Sequence, residues 1–187
     1  MAWNSEWHLE DYRNVLKLQV RKMHLDPRLQ RRFDESDLVQ ETFVKAFANQ
    51  HQFNGHTEAE LLKWLQEILG HVMIDEIRKN RAQIRDVARE QYLQEMLAQS
   101  STRLGEFLDN AQSSPSERAE RHEQLLCMAA AIDQLAEDER DAIILVHLLK
   151  TPVQQVAQQL GRTEKAVASL LCRAMAKLRK NPVVNPS

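Results

Sequence analysis

TPVQQVAQQLGRTEKAVASLLCRAMAKLRK, Thr151 to Lys180, decides how the C-terminal end of this chain folds. Thr151 reads as the cap of a helix beginning at Pro152, a position where proline's missing donor costs nothing. Val153, Val156, Ala157 and Leu160 share its inward face, and Gly161 supplies the left-handed residue that ends it. Thr163 then caps a second helix. Val167, Leu170, Leu171, Ala174, Met175 and Leu178 bury one side of that helix; Lys165, Ala168, Ser169, Cys172, Arg173, Lys177 and Arg179 point outward. A small residue, Ala157, then Gly161, then Val167 match the spacing of a helix-turn-helix, whose two helices must approach closely across a tight turn. A purely structural hairpin would fit the same spacing, but the basic outer face favours DNA. In that reading Thr163, Glu164, Lys165 and Ala168 enter the major groove, while Arg173, Lys177, Arg179 and Lys180 bind phosphates and set register.

The rest of the chain is helical too. Only 4 Gly and 5 Pro in 187 residues, with few β-branched runs, predict an all-α protein. This length suits two small helical domains joined by a linker, the C-terminal one containing the helix-turn-helix. The longest apolar run, Leu125 to Ile132, falls far below the ~18 residues of a membrane span, as does Ala142 to Val146, and the start MAWNSEWHLEDYR lacks a signal peptide's basic and apolar regions. A cytosolic protein is expected. Cys127 and Cys172 have no Cys or His pattern around them, so neither a metal nor a disulfide framework is expected. His51 and His56 lack a third ligand. Phosphate-cradling glycine loops, nucleophile elbows and HExxH are missing, and adjacent Asp75 and Glu76 point apart on a helix; no enzyme and no cofactor are predicted.

Net charge is only −2, but it is unevenly spread. Residues 1–85 hold 13 cationic and 13 acidic residues, 86–146 hold 5 and 13, and 147–187 hold 7 and 1. The basic end is where a DNA footprint belongs. An acidic middle beside a basic end also predicts that the two halves attract each other when idle.

Toward the N-terminus, Leu9, Tyr12, Leu16, Val20 and Met23 form a helical stripe that Asp26-Pro27 terminates. DLVQETF, Asp37 to Phe43, lies in a second helix opening near Ser36 and running to about Gln50. Leu38, Val39, Thr42, Phe43, Ala46 and Phe47 are expected to be buried, leaving Asp37, Gln40, Glu41 and Lys45 to a partner. A loop from Gln52 to His56 carries Asn54 and Gly55 as turn residues, and Thr57-Glu58-Ala59-Glu60 is a capping box that starts a third helix. Leu61, Leu65, Ile68 and Val72 line that helix, widened by Trp64, Leu69 and Ile77, and it ends in basic Arg78, Lys79, Arg81 and Arg85. From Asp86 to Ala119 the pattern loosens into a linker, and helical order resumes near Glu120, with Leu125, Met128, Ile132 and Leu135 in one stripe.

In this order, DLVQETF, the stretch WLQEILGHVMIDEIRKNR, a nondescript linker and the helix-turn-helix resemble bacterial RNA polymerase sigma factors of the extracytoplasmic-function (ECF) class. The resemblance spans nearly the whole chain. It implies a region 2-like domain over residues 1–85, a linker over 86–119 and a region 4-like domain over 120–187. It further implies that Asp37, Leu38, Gln40, Glu41 and Phe43 dock on the clamp of core RNA polymerase. Asn54, His56, His71, Arg78, Lys79, Arg81 and Arg85 would read and melt the downstream promoter box, with the loop after Phe53 receiving a flipped base. Thr163, Glu164, Lys165, Ala168, Ser169, Arg173 and Lys177 would read the upstream box. Promoter DNA and core polymerase are thus the implied partners, with an anti-sigma factor as a further one. Gly70-His71 stands where the family commonly has Arg-Asn, and Lys165-Ala166 where it has Gly-Thr, which bears on promoter sequence. Two rivals stay open: a one-component dimeric helix-turn-helix transcription regulator, and a helical adaptor whose basic faces are merely solvated.

Overall fold

The computed structural model describes residues 7–25, 34–79 and 115–181, and every regular element among them is helical. A short 3-10 turn, Leu9–Tyr12, leads into α1, Arg13–His24. Next come α2, Glu35–Ala48, and a 3-10 turn, Gln50–Gln52, before α3, Glu58–Lys79. The C-terminal half holds α4, Pro115–Asp133, and α5, Glu137–Ile143, which continues as a π turn over Ile144–Leu148. The helix-turn-helix follows as α6, Val153–Gln159, and α7, Glu164–Lys180. None of the described helices is long and apolar enough to cross a membrane.

α1, α2 and α3 close the first core. Leu16, Val20, Val39, Leu61, Leu65 and Leu69 are wholly excluded from solvent there, the 3.6-residue stripes the sequence predicts. Ile68 and Trp64 are half-buried at its margin. The helix-turn-helix packs through Leu145, Val156, Ala157 and Val167, and a further cluster joins Ile132, Leu135 and Ile143 to Ala174 and Leu178 of α7. α4 belongs to both halves: Leu125, Leu126 and Ala129 pack on the first core, whereas Ala131 and Ile132, with Leu135 just past its end, serve the second.

Several boundaries move for local reasons. α2 opens at Glu35, because the Asp34 carboxylate accepts the Ser36 and Asp37 amides at 2.8 and 3.1 Å. α4 starts at Pro115, inside the expected linker, where proline is preorganised for a first helical turn; the rest of the linker lies largely outside the described residues. Thr151 caps nothing: the carbonyl of Pro152, at the N-cap, accepts from the Gln155 and Val156 amides. Met128 is exposed, because the buried stripe of α4 runs through His122, Ala129 and Ile132 instead. Phe47 is exposed as well. At roughly 100° per residue it falls about 40° beyond Phe43, off the edge of the arc that Leu38 and Phe43 delimit.

Candidate nucleic-acid interface

The expected docking residues of α2 divide between two roles. Leu38 and Phe43 are 4% and 8% exposed and pack in the first core, so in the free chain they offer a partner little surface. The Arg13 guanidinium lies over the Phe43 ring, 5.1 Å from its centroid, and donates to Gln40 Oε1 at 3.1 Å. Asp37 and Gln40 are exposed and Glu41 is half-exposed. Sequence reasoning missed Val44 and Phe47, which are 60% and 65% exposed on this same face. The signal was there: Val44 and Phe47 bracket Gln40 on the helical wheel, so two apolar side chains sit inside a polar arc. Single exposed apolar residues need no explanation; these two lie side by side on one arc of α2.

Lys45 ties this face to α3. Its ammonium donates to Asp75 Oδ2 at 3.0 Å and lies 3.4 Å from Glu41 Oε1, and these carboxylates hold its pKa above the ordinary lysine value. Asp75 therefore sits one turn before Arg78 under the control of α2. Arg78 and Lys79 fall in the last turn of α3, whose side chains, like Arg81 and Arg85, lie outside the described residues. His71 is exposed on α3, two turns back from Arg78.

The loop before α3 is built around Phe53. Its ring meets Trp7 edge-on and Trp64 at a tilt, each at 5.1 Å between centroids, so Trp64 serves the packing of this loop. A Cβ on Gly55 would meet the Phe53 ring at 2.4 Å, so only glycine lets the chain cross the ring. The Glu60 carboxylate accepts the His56 amide at 2.7 Å and the Thr57 amide and hydroxyl at 3.0 Å each, while the Glu60 amide donates back to Thr57. This is the capping box read from the sequence, and it holds the Glu60 carboxyl below its usual pKa. Asn54 and His56 are exposed on the loop so fixed.

In the helix-turn-helix, Gly161 takes a φ of +62°, the left-handed turn expected of it. Thr163 caps α7, its hydroxyl accepting the Ala166 amide at 3.2 Å, which gives that side chain a structural task. Glu164, Lys165, Ala168 and Ser169 are all exposed, and the Ser169 hydroxyl donates back to the Lys165 carbonyl at 3.0 Å. Arg173 and Lys177 are exposed but not unopposed: Glu139 of α5, itself buried, lies 2.7 Å from Lys177 Nζ and 3.7 Å from Arg173 Nε. The Lys177 bond and charge hold Glu139 below the ordinary carboxylate range. Arg179 and Lys180 extend the basic strip. No group of three or more His, Cys, Asp or Glu side chains among the described residues is arranged to hold a metal.

Comparison with known proteins agrees with this layout. The family described as Sigma-70 region 2 matches residues 9–83, and Sigma-70, region 4, matches residues 125–178. The ECF RNA polymerase sigma factor SigX of Bacillus subtilis is 28% identical over 145 residues, covering 78% of this chain and 69% of that protein. SigM of the same organism is 24% identical over 143 residues, 76% of each chain. EcfG of Rhodopseudomonas palustris is 29% identical over 142 residues, 76% of this chain and 67% of that one. Two matched Sigma-70 regions in sigma order, together with these three ECF relatives, place this chain among the ECF sigma factors.

Proposed function

We propose a residue-level division of labour for the promoter-specific initiation that this sigma factor directs. α2 docks on core RNA polymerase through Asp37, Gln40, Glu41, Val44 and Phe47. Asn54 and His56 on the pinned loop take an unpaired base of the downstream box, while His71 and the basic end of α3 follow the opened strand; a preformed loop lowers the ordering cost of that capture. Lys165, Ala168 and Ser169 read the upstream box in the major groove, with Arg173, Lys177, Arg179 and Lys180 on phosphates. The chain chooses the promoter and the polymerase performs the chemistry.

The observation that carries the reading is the pair Val44 and Phe47 beside Gln40, an apolar patch on a helix whose opposite face is sealed into the core. Near-neutral net charge adds that DNA affinity must come from tethering two weak modules on one platform. Site-specific photocrosslinking tests the assignment. A benzophenone side chain at position 47 should capture a core polymerase subunit, one at position 56 the downstream promoter box, and one at position 165 the upstream duplex. Crosslinks from position 47 to DNA, or from position 165 to the downstream box, would overturn it.

A further inference from the structure

α1 has two faces, and only one of them serves its own domain. Val15, Leu16, Val20 and Met23 enter the first core. On the opposite side, residues spaced four apart all meet the C-terminal half. Lys17 lies 3.9 Å from Asp133 of α4, and Leu25 offers its carbonyl to the Gln159 amide of α6. Between them Arg21 Nε donates to Asp141 Oδ1 of α5 at 2.7 Å, with Glu137 of the same helix at 3.4 Å. Leu18 and Leu25 pack into the C-terminal clusters beside these polar contacts. The side chains of Arg21 and Asp141 are each only 14% exposed, so this pair is far more enclosed than an ordinary surface ion pair.

We infer that Arg21 is the latch of a self-closed state, in which α1 holds the helix-turn-helix half against the polymerase-docking half until polymerase separates them. A compact body of 187 residues is about 40 Å across, whereas promoter boxes two helical turns apart are roughly 70 Å from each other. The closed chain cannot reach both. Arg21 also donates to Glu35 at 3.2 Å, and Glu35 is the first residue of α2, the helix whose outer face docks on polymerase. The latch therefore touches the docking helix, so movement of α2 against polymerase and release of α5 act on one guanidinium. The acidic middle meets the basic end within the C-terminal half, through Glu139 with Lys177 and Arg173, whereas the contact that closes the two halves on each other joins acidic α4 and α5 to cations of α1.

This inference rests on the two-box reading for its consequence, but the closed state stands on the free chain alone. The test uses the full chain with Cys127 and Cys172 replaced by serine, and dye-labelled cysteines at exposed Lys63 of α3 and Ala176 of α7. Single-molecule energy transfer should show one narrow, short distance for the free protein. Arg21→Glu should broaden and lengthen it by on the order of 10 Å or more, the reach a connection of this length permits. The exchange Arg21→Asp with Asp141→Arg should restore the short distance, which mere unfolding would not. Saturating core polymerase should lengthen the distance in the unlatched and wild-type chains alike. A long, broad distance in the free wild type, an Arg21→Glu chain that stays short, or a polymerase-bound wild type that stays short would each overturn the latch. Failure to bind polymerase at all would instead sink the docking reading, with closure still decided by the free-chain distances.

Discussion

Replacing Phe47 by alanine separates docking from folding. The side chain is 65% exposed, so truncation removes little packing and should leave thermal stability within about 0.5 kcal/mol of wild type. A phenylalanine presents roughly 200 Å² of surface, of which about 130 Å² remains open here; burial against polymerase at about 25 cal/mol per Å² gives an upper bound near 3 kcal/mol. Ordering and desolvation on association reduce this to about 1–2 kcal/mol, or roughly 5- to 30-fold in Kd. Phe43→Ala should do the reverse. At 8% exposure it opens a cavity costing about 3–5 kcal/mol, a fall of roughly 6–20 °C in Tm. Competition for core polymerase against a labelled wild-type chain reads the first quantity and differential scanning fluorimetry the second. A Phe47→Ala protein that competes within twofold of wild type would refute the assignment of this face.

Three further outcomes follow from other contacts. Glu139→Gln removes the carboxylate beside Lys177 and Arg173, so affinity for upstream-box duplex should rise several-fold at low salt and the log–log salt slope should steepen by roughly 1 to 2; an unchanged slope means those cations do not meet phosphate. Thr163→Ala should cost about 1 kcal/mol through loss of the α7 cap; lost DNA binding at unchanged Tm would make the hydroxyl a DNA contact instead. Burial holds the His122 imidazole below its ordinary pKa of 6.5, against the pull of Glu58 on α3. The unfolded chain thus takes up the proton first, and His122's share of stability, complete above about pH 6.5, is lost as pH falls toward its folded value. In melts between about pH 8 and 5.5, His122→Phe should flatten part of the slope, and an equally steep variant would contradict the sign.

Much of this architecture is legible in residue patterns because local physics fixes it. Thr57 and Glu60 form their capping box, Gly161 its left-handed turn, and Val156, Ala157 and Val167 the close approach of two helices, all within a few residues of sequence. What escaped is set by packing across the chain. Phe47 and Met128 sit at arc edges, where apolarity alone does not say which neighbour covers them, and none does. Glu139 opposing Lys177 from 38 residues away, and Arg21 meeting Asp141 from 120 away, leave no spacing signature at all. Leu38 and Phe43 show the complement: two of the five residues that the resemblance assigns to docking are buried and hold α2 against the first core.

The central claim is tested most directly by transcription from fragmented genomic DNA with purified bacterial core polymerase, with and without this protein, mapping RNA 5′ ends by sequencing. The account predicts new starts that share two spaced upstream elements and vanish with Glu41→Lys. A folded protein and an active polymerase that together give no new starts would contradict it.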